Sequence, residues 1–152
     1  MSATKVQPYR GSYLMPSLDH ATVSDAAHPG IVSCDPDTSL TEVARLMATH
    51  HVHCVAVLAP ARDHSGQSVV WGIISDLDLL EAGLGKGAEP TARDLAGQTV
   101  ISVEPTLPLA DAAELMLSRR VSHMVVVEPH TLRPVGILST LDIAGTLAWG
   151  EV

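Results

Sequence analysis

Apolar residues recur at helical spacing in two stretches of the chain. Leu40, Val43, Ala44 and Met47 form one i, i+3, i+4, i+7 stripe, and Leu109, Ala112, Ala113 and Met116 form another. Each is the pattern of an amphipathic helix with one buried face. Ser39 with Glu42 reads as a capping box for the first helix, and Pro108 suits the first turn of the second, where its missing N–H costs nothing. A short extended piece precedes each helix, Ile31 to Cys34 and Val100 to Val103, ending at Asp35-Pro36 or Glu104-Pro105. Two runs rich in valine and isoleucine follow each helix: Val55 to Leu58 and Val69 to Ile74, then Met124 to Val127 and Val135 to Leu138. That content favours strands. A second helix starts at Ser75 and again at Ser139, so the order β-α-β-β-α occurs twice.

The repetition reaches individual residues. Thr22 and Asp25 are echoed by Thr91 and Asp94, and Leu40, Ala44, Met47 and Val52 by Leu109, Ala113, Met116 and Val121, all at an offset of 69 residues. Gly72-Ile-Ile-Ser75-Asp-Leu-Asp78 then matches Gly136-Ile-Leu-Ser139-Thr-Leu-Asp142 at an offset of 64. The five extra residues of the first copy lie between Leu58 and Trp71 and predict a longer hairpin loop. The expected organisation is an irregular N-terminal arm over 1–20, a first repeat over 21–82, a linker over 83–90 and a second repeat over 91–149.

Composition narrows the function classes. With 152 residues, 46% hydrophobic and 17% charged, the chain can bury a core shared by two small halves. No apolar run approaches the ~20 residues of a membrane helix. A formal charge of −8 makes nucleic acid an unlikely partner, since binding a phosphate backbone calls for a basic face. Aromatics at 3% leave little for base stacking. Cys34 and Cys54 make neither a disulfide scaffold nor a paired metal motif. The residues from Met1 to Pro8 lack the apolar stretch of a secretory signal, so a cytoplasmic location is expected.

The two copies together resemble a tandem pair of cystathionine-beta-synthase (CBS) domains, a Bateman module, over about residues 22–148. The resemblance rests on the extended segment ending in Asp/Glu-Pro, the Leu-x-x-x-Ala-x-x-Met helix, the apolar strand and Gly-apolar-apolar-Ser-x-x-Asp, in that order and twice. It implies an α+β fold (α/β by some schemes), with the repeats packed sheet to sheet about a pseudo-twofold axis and two clefts between them. It also implies an adenosyl ligand there, such as AMP, ADP, ATP or S-adenosylmethionine. Phosphate and ribose would meet the last motif, Ser75, Asp76 and Asp78 in one repeat and Ser139, Thr140 and Asp142 in the other. The pairs His53-Cys54 and Ser122-His123 occupy the phosphate-facing positions, and main chain around Val32 and Ile101 would hold adenine. No arginine stands at those pairs, and Ala56 and Val125 replace the proline often found in the first hairpin strand. An uncharged or singly charged adenosyl ligand, or an empty cleft, therefore stays open beside a nucleotide.

The same residues have plainer readings. Serine followed three residues later by an acid is also a helix-capping box, and the two roles coexist, because a helix N-terminus offers free N–H groups to an anion. His50-His51-Val52-His53-Cys54 looks like a metal cluster, but a solvated helix C-terminus accounts for it better. Gly83-Leu-Gly85-Lys86-Gly87 lacks phosphate-loop spacing and reads as linker. No serine-histidine-acid or cysteine-histidine set has catalytic spacing. The expectation is a regulatory ligand-binding module rather than an enzyme, with no required cofactor and no metal. Its expected state is a homodimer acting on an unidentified effector protein. The alternative is a structural dimerisation module with vestigial clefts.

Overall fold

The structure is a computed structural model that describes residues 15–96 and 99–151. In chain order the elements are α1 (Val23–Ala26), β1 (His28–Pro29), β2 (Ser33–Cys34), α2 (Leu40–His50), β3 (Cys54–Pro60), β4 (Ser68–Ser75) and α3 (Asp76–Gly83). They continue with α4 (Ala92–Leu95), β5 (Ser102–Val103), α5 (Leu109–Arg119), β6 (His123–Val127), β7 (Pro134–Ser139) and α6 (Thr140–Trp149). One sheet has the order β2-β3-β4 and the other β1-β7-β6-β5. In each, a parallel pair (β2 with β3, β5 with β6) adjoins an antiparallel hairpin (β3 with β4, β6 with β7).

Strand alternation builds the layers. Val55 and Val57 on β3 and Ile74 on β4 turn towards Val43 and Met47 of α2. Met124 and Val126 on β6 and Leu138 on β7 turn towards Leu109, Ala112 and Met116 of α5. The intervening residues Cys54, Ile73 and Val125 form a third cluster, with Val127 and Ile137 packed against it. Side chains of a strand alternate between faces, so each sheet covers its own helices on one face and meets the other sheet on the opposite face. The expected sheet-to-sheet packing is therefore present.

The helix ends refine two local expectations. Ser39 caps α2 by accepting from the Glu42 N–H at 3.2 Å, but the Glu42 side chain pairs with Arg45 rather than closing the box. Pro108 is the N-cap of α5, one position before the first turn.

The leading segment of each repeat packs on the other repeat. Ala21 and Val23 belong to the core under α5, whereas Ala92 and Leu95 belong to the core under α2. The crossing is reciprocal in its hydrogen bonds. Val23 and Ser24 N–H donate to the Leu107 and Pro105 carbonyls, and Ala92 and Arg93 N–H to those of Thr38 and Pro36, all at 2.7–2.9 Å. Thr22 with Asp25 and Thr91 with Asp94 close capping boxes on these four-residue helices. Beyond α1, β1 adds to the far edge of the second sheet, pairing His28 with Ile137 and Pro29 with Gly136. Gly136 permits this approach, because a Cβ there would lie 2.5 Å from the His28 carbonyl oxygen. The proposed arm over 1–20 falls mostly outside the described residues. Its end is fastened to the C-terminus, where Ser17 N–H donates to the Glu151 carbonyl at 2.8 Å.

Candidate functional site

The two Ser-x-x-Asp motifs sit where β4 runs into α3 and β7 into α6. Both are reciprocal capping boxes. Ser75 Oγ accepts from the Asp78 N–H at 3.2 Å, while the Asp78 carboxylate accepts from the Ser75 N–H at 2.9 Å. The Ser139–Asp142 pair repeats this at 3.2 and 2.7 Å, and Ser139 Oγ also donates to Asp142 Oδ2 at 3.0 Å. The next residue in each motif ties the helix start to the neighbouring strand: Asp76 N–H donates to the His53 carbonyl at 2.9 Å, and Thr140 N–H to that of Ser122 at 3.0 Å. The fold thus gathers His53, Cys54, Ser75, Asp76 and Asp78 at one sheet end. It gathers Ser122, His123, Ser139, Thr140 and Asp142 at the other.

These two groups meet across the pseudo-twofold axis. Cys54 is buried, and burial pushes its thiol up to about 11, with the Asp76 and Asp142 carboxylates adding to the effect. Burial pushes His123 below its ordinary value, against the pull of those same two carboxylates. His123 Nδ1 lies 2.9 Å from Ser122 Oγ. His53 Nδ1 lies 3.0 Å from Asp76 Oδ2, and this hydrogen bond is the main cause that holds Asp76 below the usual carboxylate range. At neutral pH the axis therefore carries a neutral thiol, a neutral His123 and carboxylates. Burial thus disfavours the imidazolium at His123, one of the two histidines at the phosphate-facing positions.

Val32 and Ile101 occupy equivalent places in the extended segments. The Val32 carbonyl accepts the Ala56 N–H and the Ile101 carbonyl accepts the Val125 N–H, each at 2.9 Å. Their side chains pack against the hydrophobic cores. The histidine run resolves as the end of α2: His51 is its left-handed C-cap at φ 52°, and no group of three His, Cys, Asp or Glu suited to a metal occurs among the described residues.

A cavity of about 700 Å3 opens between α1 and β1 on one side and β7 and α6 on the other. Of the twelve candidate ligand residues, Asp142 is the one that lines it. Its Oδ1 lies 2.7 Å from His28 Nδ1, with the Asp142 side chain 3% exposed and that of His28 78% exposed. His28 therefore covers a buried carboxylate from the solvent side. Apolar walls come from Ala26, Pro29, Val135, Leu141 and Trp149. Sequence reasoning missed His28, and the repeat gave no signal for it, because the position 69 residues later is Gly97. The residues equivalent to His28 and Pro29 in the other repeat, Gly97 and Gln98, lie outside the described residues.

Comparisons with known proteins agree with this architecture. The chain is 25% identical over 126 residues to the CBS domain-containing protein YhcV of Bacillus subtilis, across 82% of this chain and 84% of that one. It is also 25% identical over 125 residues to the Methanopyrus kandleri protein MK0525, of whose length it spans 60%. Among solved structures, the CBS domain pair of protein MJ0100 in complex with 5′-methylthioadenosine and S-adenosyl-L-methionine superposes with a TM-score of 0.71 at 22% identity, over 84% of this chain and 96% of that one. CBSX2 in complex with AMP gives 0.66 at 23% identity, over 84% and 96%. The CBS-domain protein ATU1752 of Agrobacterium tumefaciens gives 0.69 at 24%, over 91% and 98%. The CBS domain profile matches residues 23–85 and 92–148, so both β-α-β-β-α units are accounted for and the chain belongs to the CBS domain family as a tandem pair.

Proposed function

We propose that this chain is a regulatory module that binds an adenosyl compound at Asp142 and converts occupancy into a change of shape or association. CBS domain pairs are generally regulatory modules rather than enzymes, and relatives of the same fold hold 5′-methylthioadenosine, S-adenosylmethionine or AMP. The observation that carries the reading is the cavity itself. A space of about 700 Å3 with apolar walls and one buried carboxylate is the ordinary make-up of a small-molecule site. A carboxylate at a helix start can accept both hydroxyls of a ribose, and here its Oδ1 is held by an exposed imidazole that a ligand can displace.

The test is thermal unfolding with AMP, ADP, ATP, S-adenosylmethionine and adenosine. A compound at ~100 times its dissociation constant adds roughly 2.7 kcal/mol of stability. No shift with any of them at millimolar concentration rejects the reading. Asp142→Asn is expected to weaken binding by about 1.5–3 kcal/mol, the worth of a charge-assisted hydrogen bond.

A second reading, a dimerisation module with vestigial clefts, draws on the exposed apolar side chains of α3 and α6. Leu77, Leu80, Leu141, Leu147 and Trp149 are all at least 60% exposed. Such a patch on a folded chain marks an interaction surface, and twofold homodimers are the commonest assemblies. Both readings share the homodimer, and a sedimentation-equilibrium mass near 16 kDa would reject it.

A further inference from the structure

The described part of the chain enters the molecule at the rim of the cavity. Met15 is its first residue and lines the space together with Leu141 and Trp149. Two hydrogen bonds fasten this point. Glu151 N–H donates to the Met15 carbonyl and Ser17 N–H to the Glu151 carbonyl, each at 2.8 Å. Pro16 pairs with Glu151 in a parallel bridge, so close to the end of α6 that a Cβ on Gly150 would lie 2.7 Å from the Pro16 carbonyl oxygen. Residues 1–14 lie outside the described residues, but the place they depart from is fixed at the cavity mouth. Six extended residues span at most ~20 Å, so the cavity is within reach of residues 9–14.

This segment carries what the cavity lacks. The titratable residues lining the cavity are Asp25, His28 and Asp142, and no lysine or arginine among the described residues lines it. Residues 1–14 hold Lys5 and Arg10 and no acid, in a chain with 17 acids against 9 bases. Opposite charges attract over a screening length of about 10 Å without direct contact. The apolar walls are also open: Val135 is 41%, Trp149 60% and Leu141 65% exposed. Tyr9 and Tyr13, the two tyrosines of a chain without phenylalanine, both fall in this segment. A tyrosine ring covers apolar surface and keeps a hydroxyl for a polar partner. The spacing fits as well. Alternate residues of an extended chain share a face, so an extended course puts positions 9, 11 and 13 on the face of Met15, with Gly11 between the two rings.

We propose that residues 9–14 of the chain's own N-terminal arm dock in this cavity as a plug. The tyrosine rings cover Leu141 and Trp149, and Arg10 brings positive charge to the acidic mouth. This goes beyond the adenosyl reading, since it names the occupant when no ligand is bound. A ligand must displace the arm, and an arm seated nine-tenths of the time lowers the ligand's apparent affinity about tenfold.

Photo-crosslinking on the full chain tests this. Tyr9 is replaced by p-benzoylphenylalanine, the chain is irradiated without ligand, and the linked peptides are mapped by mass spectrometry. Links within one chain from position 9 to residues 24–29 or 135–149 are expected. No links, or links elsewhere, overturn the proposal. Links only between isotopically distinguished chains overturn it too, because the occupant would then be a second copy. Arg10→Glu in the same chain is expected to lower the yield, and an unchanged yield counts against the proposal equally. Trp149 supplies a readout without crosslinking. In a Trp71→Phe background it is the sole tryptophan. Tyr9→Ala/Tyr13→Ala should then raise its acrylamide quenching constant at least about twofold, as release of a mostly seated arm requires. Unchanged quenching, in a chain that keeps the wild-type circular dichroism spectrum, overturns the proposal. Neither readout uses a ligand, so failure of the adenosyl reading would leave both standing, and failure of the plug would leave the cavity open to a ligand.

Discussion

Replacing Gly136 by alanine tests whether β1 is held on the second sheet by close backbone contact. An added Cβ would lie 2.5 Å from the His28 carbonyl oxygen, 3.4 Å from its carbon and 3.7 Å from Pro29 Cα. The first of these is about 0.8 Å inside an ordinary carbon–oxygen contact, and both partners are backbone, so no side chain can swing away. Overpacking of this kind costs about 1–3 kcal/mol. If β1 instead lifts away, the Gly30 N–H loses the Val135 carbonyl at 2.9 Å and the His28–Ile137 and Pro29–Gly136 register goes with it. Each lost hydrogen bond is worth about 1 kcal/mol net. Alanine recovers about 0.5–1 kcal/mol through lower unfolded-state entropy, which leaves a net loss of about 1 kcal/mol from a mid-range overpacking cost. Gly30→Ala is the control: its φ is +81° and its Cβ meets nothing within 4 Å, so left-handed strain of about 1 kcal/mol is largely offset by the same entropy gain. Urea unfolding measures both, with hydrogen exchange at the Gly30 amide as a local readout. A Gly136→Ala chain within about 0.5 kcal/mol of wild type, with that amide still protected, would refute the contact argument.

Gly145→Ala places a methyl in ordinary contact with Trp149 at 3.8 Å and raises helix propensity. It is expected to stabilise α6 by about 0.5–1 kcal/mol, read as a higher midpoint in thermal unfolding. Because burial holds folded His123 below its ordinary 6.5, the unfolded chain binds more protons in that window, and stability falls as pH drops below about 6.5. His123→Gln should flatten that part of the pH–stability curve in urea titrations, and an unchanged slope contradicts the assignment. Cys54 is buried with a thiol near 11, so iodoacetamide at neutral pH should label it only after unfolding, and mass spectrometry of the native protein showing rapid Cys54 alkylation would reject this.

Much of the fold was legible because the period-3.6 stripes of α2 and α5 and the valine- and isoleucine-rich strand runs recur in each repeat. Met124, Val125 and Val126 are an unbroken apolar run because β6 is covered on both faces, Met124 and Val126 by α5 and Val125 by the opposite sheet. Four-residue α1 and α4 escaped, since an amphipathic stripe needs more than one turn to show itself. Their signature was in the matched Thr-x-x-Asp pairs, which are capping boxes at 22–25 and 91–94. Nothing local told that these leaders cross to the opposite core. That follows from tertiary packing of Val23 against Leu109 and of Ala92 against Val43. At the site, Asp142 stood out by motif, while His28 comes from a segment distant in sequence and absent from the repeat pattern.

The crossing gives occupancy a route to shape. The cavity's one wall, α1 and β1, is continuous with Ile31, which packs in the layer between the sheets, and with Val32 in the core of the first repeat. Its other wall, β7 and α6, belongs to the second repeat. A ligand bridging these walls binds best when β1 is seated on β7, and it shifts the molecule only by that difference in affinity. The Gly30 N–H to Val135 carbonyl and the His28–Asp142 hydrogen bonds, at about 1 kcal/mol net each, make the seating worth about 2 kcal/mol, a factor of about 30 in an equilibrium constant. A ligand that gains this much from the seated form therefore turns an evenly populated equilibrium into one that is almost wholly closed. The exposed leucines of α6, Leu141 and Leu147, lie on the helix that Asp142 caps, so under the proposed dimer reading a ligand held by Asp142 would sit on the helix that a second chain meets.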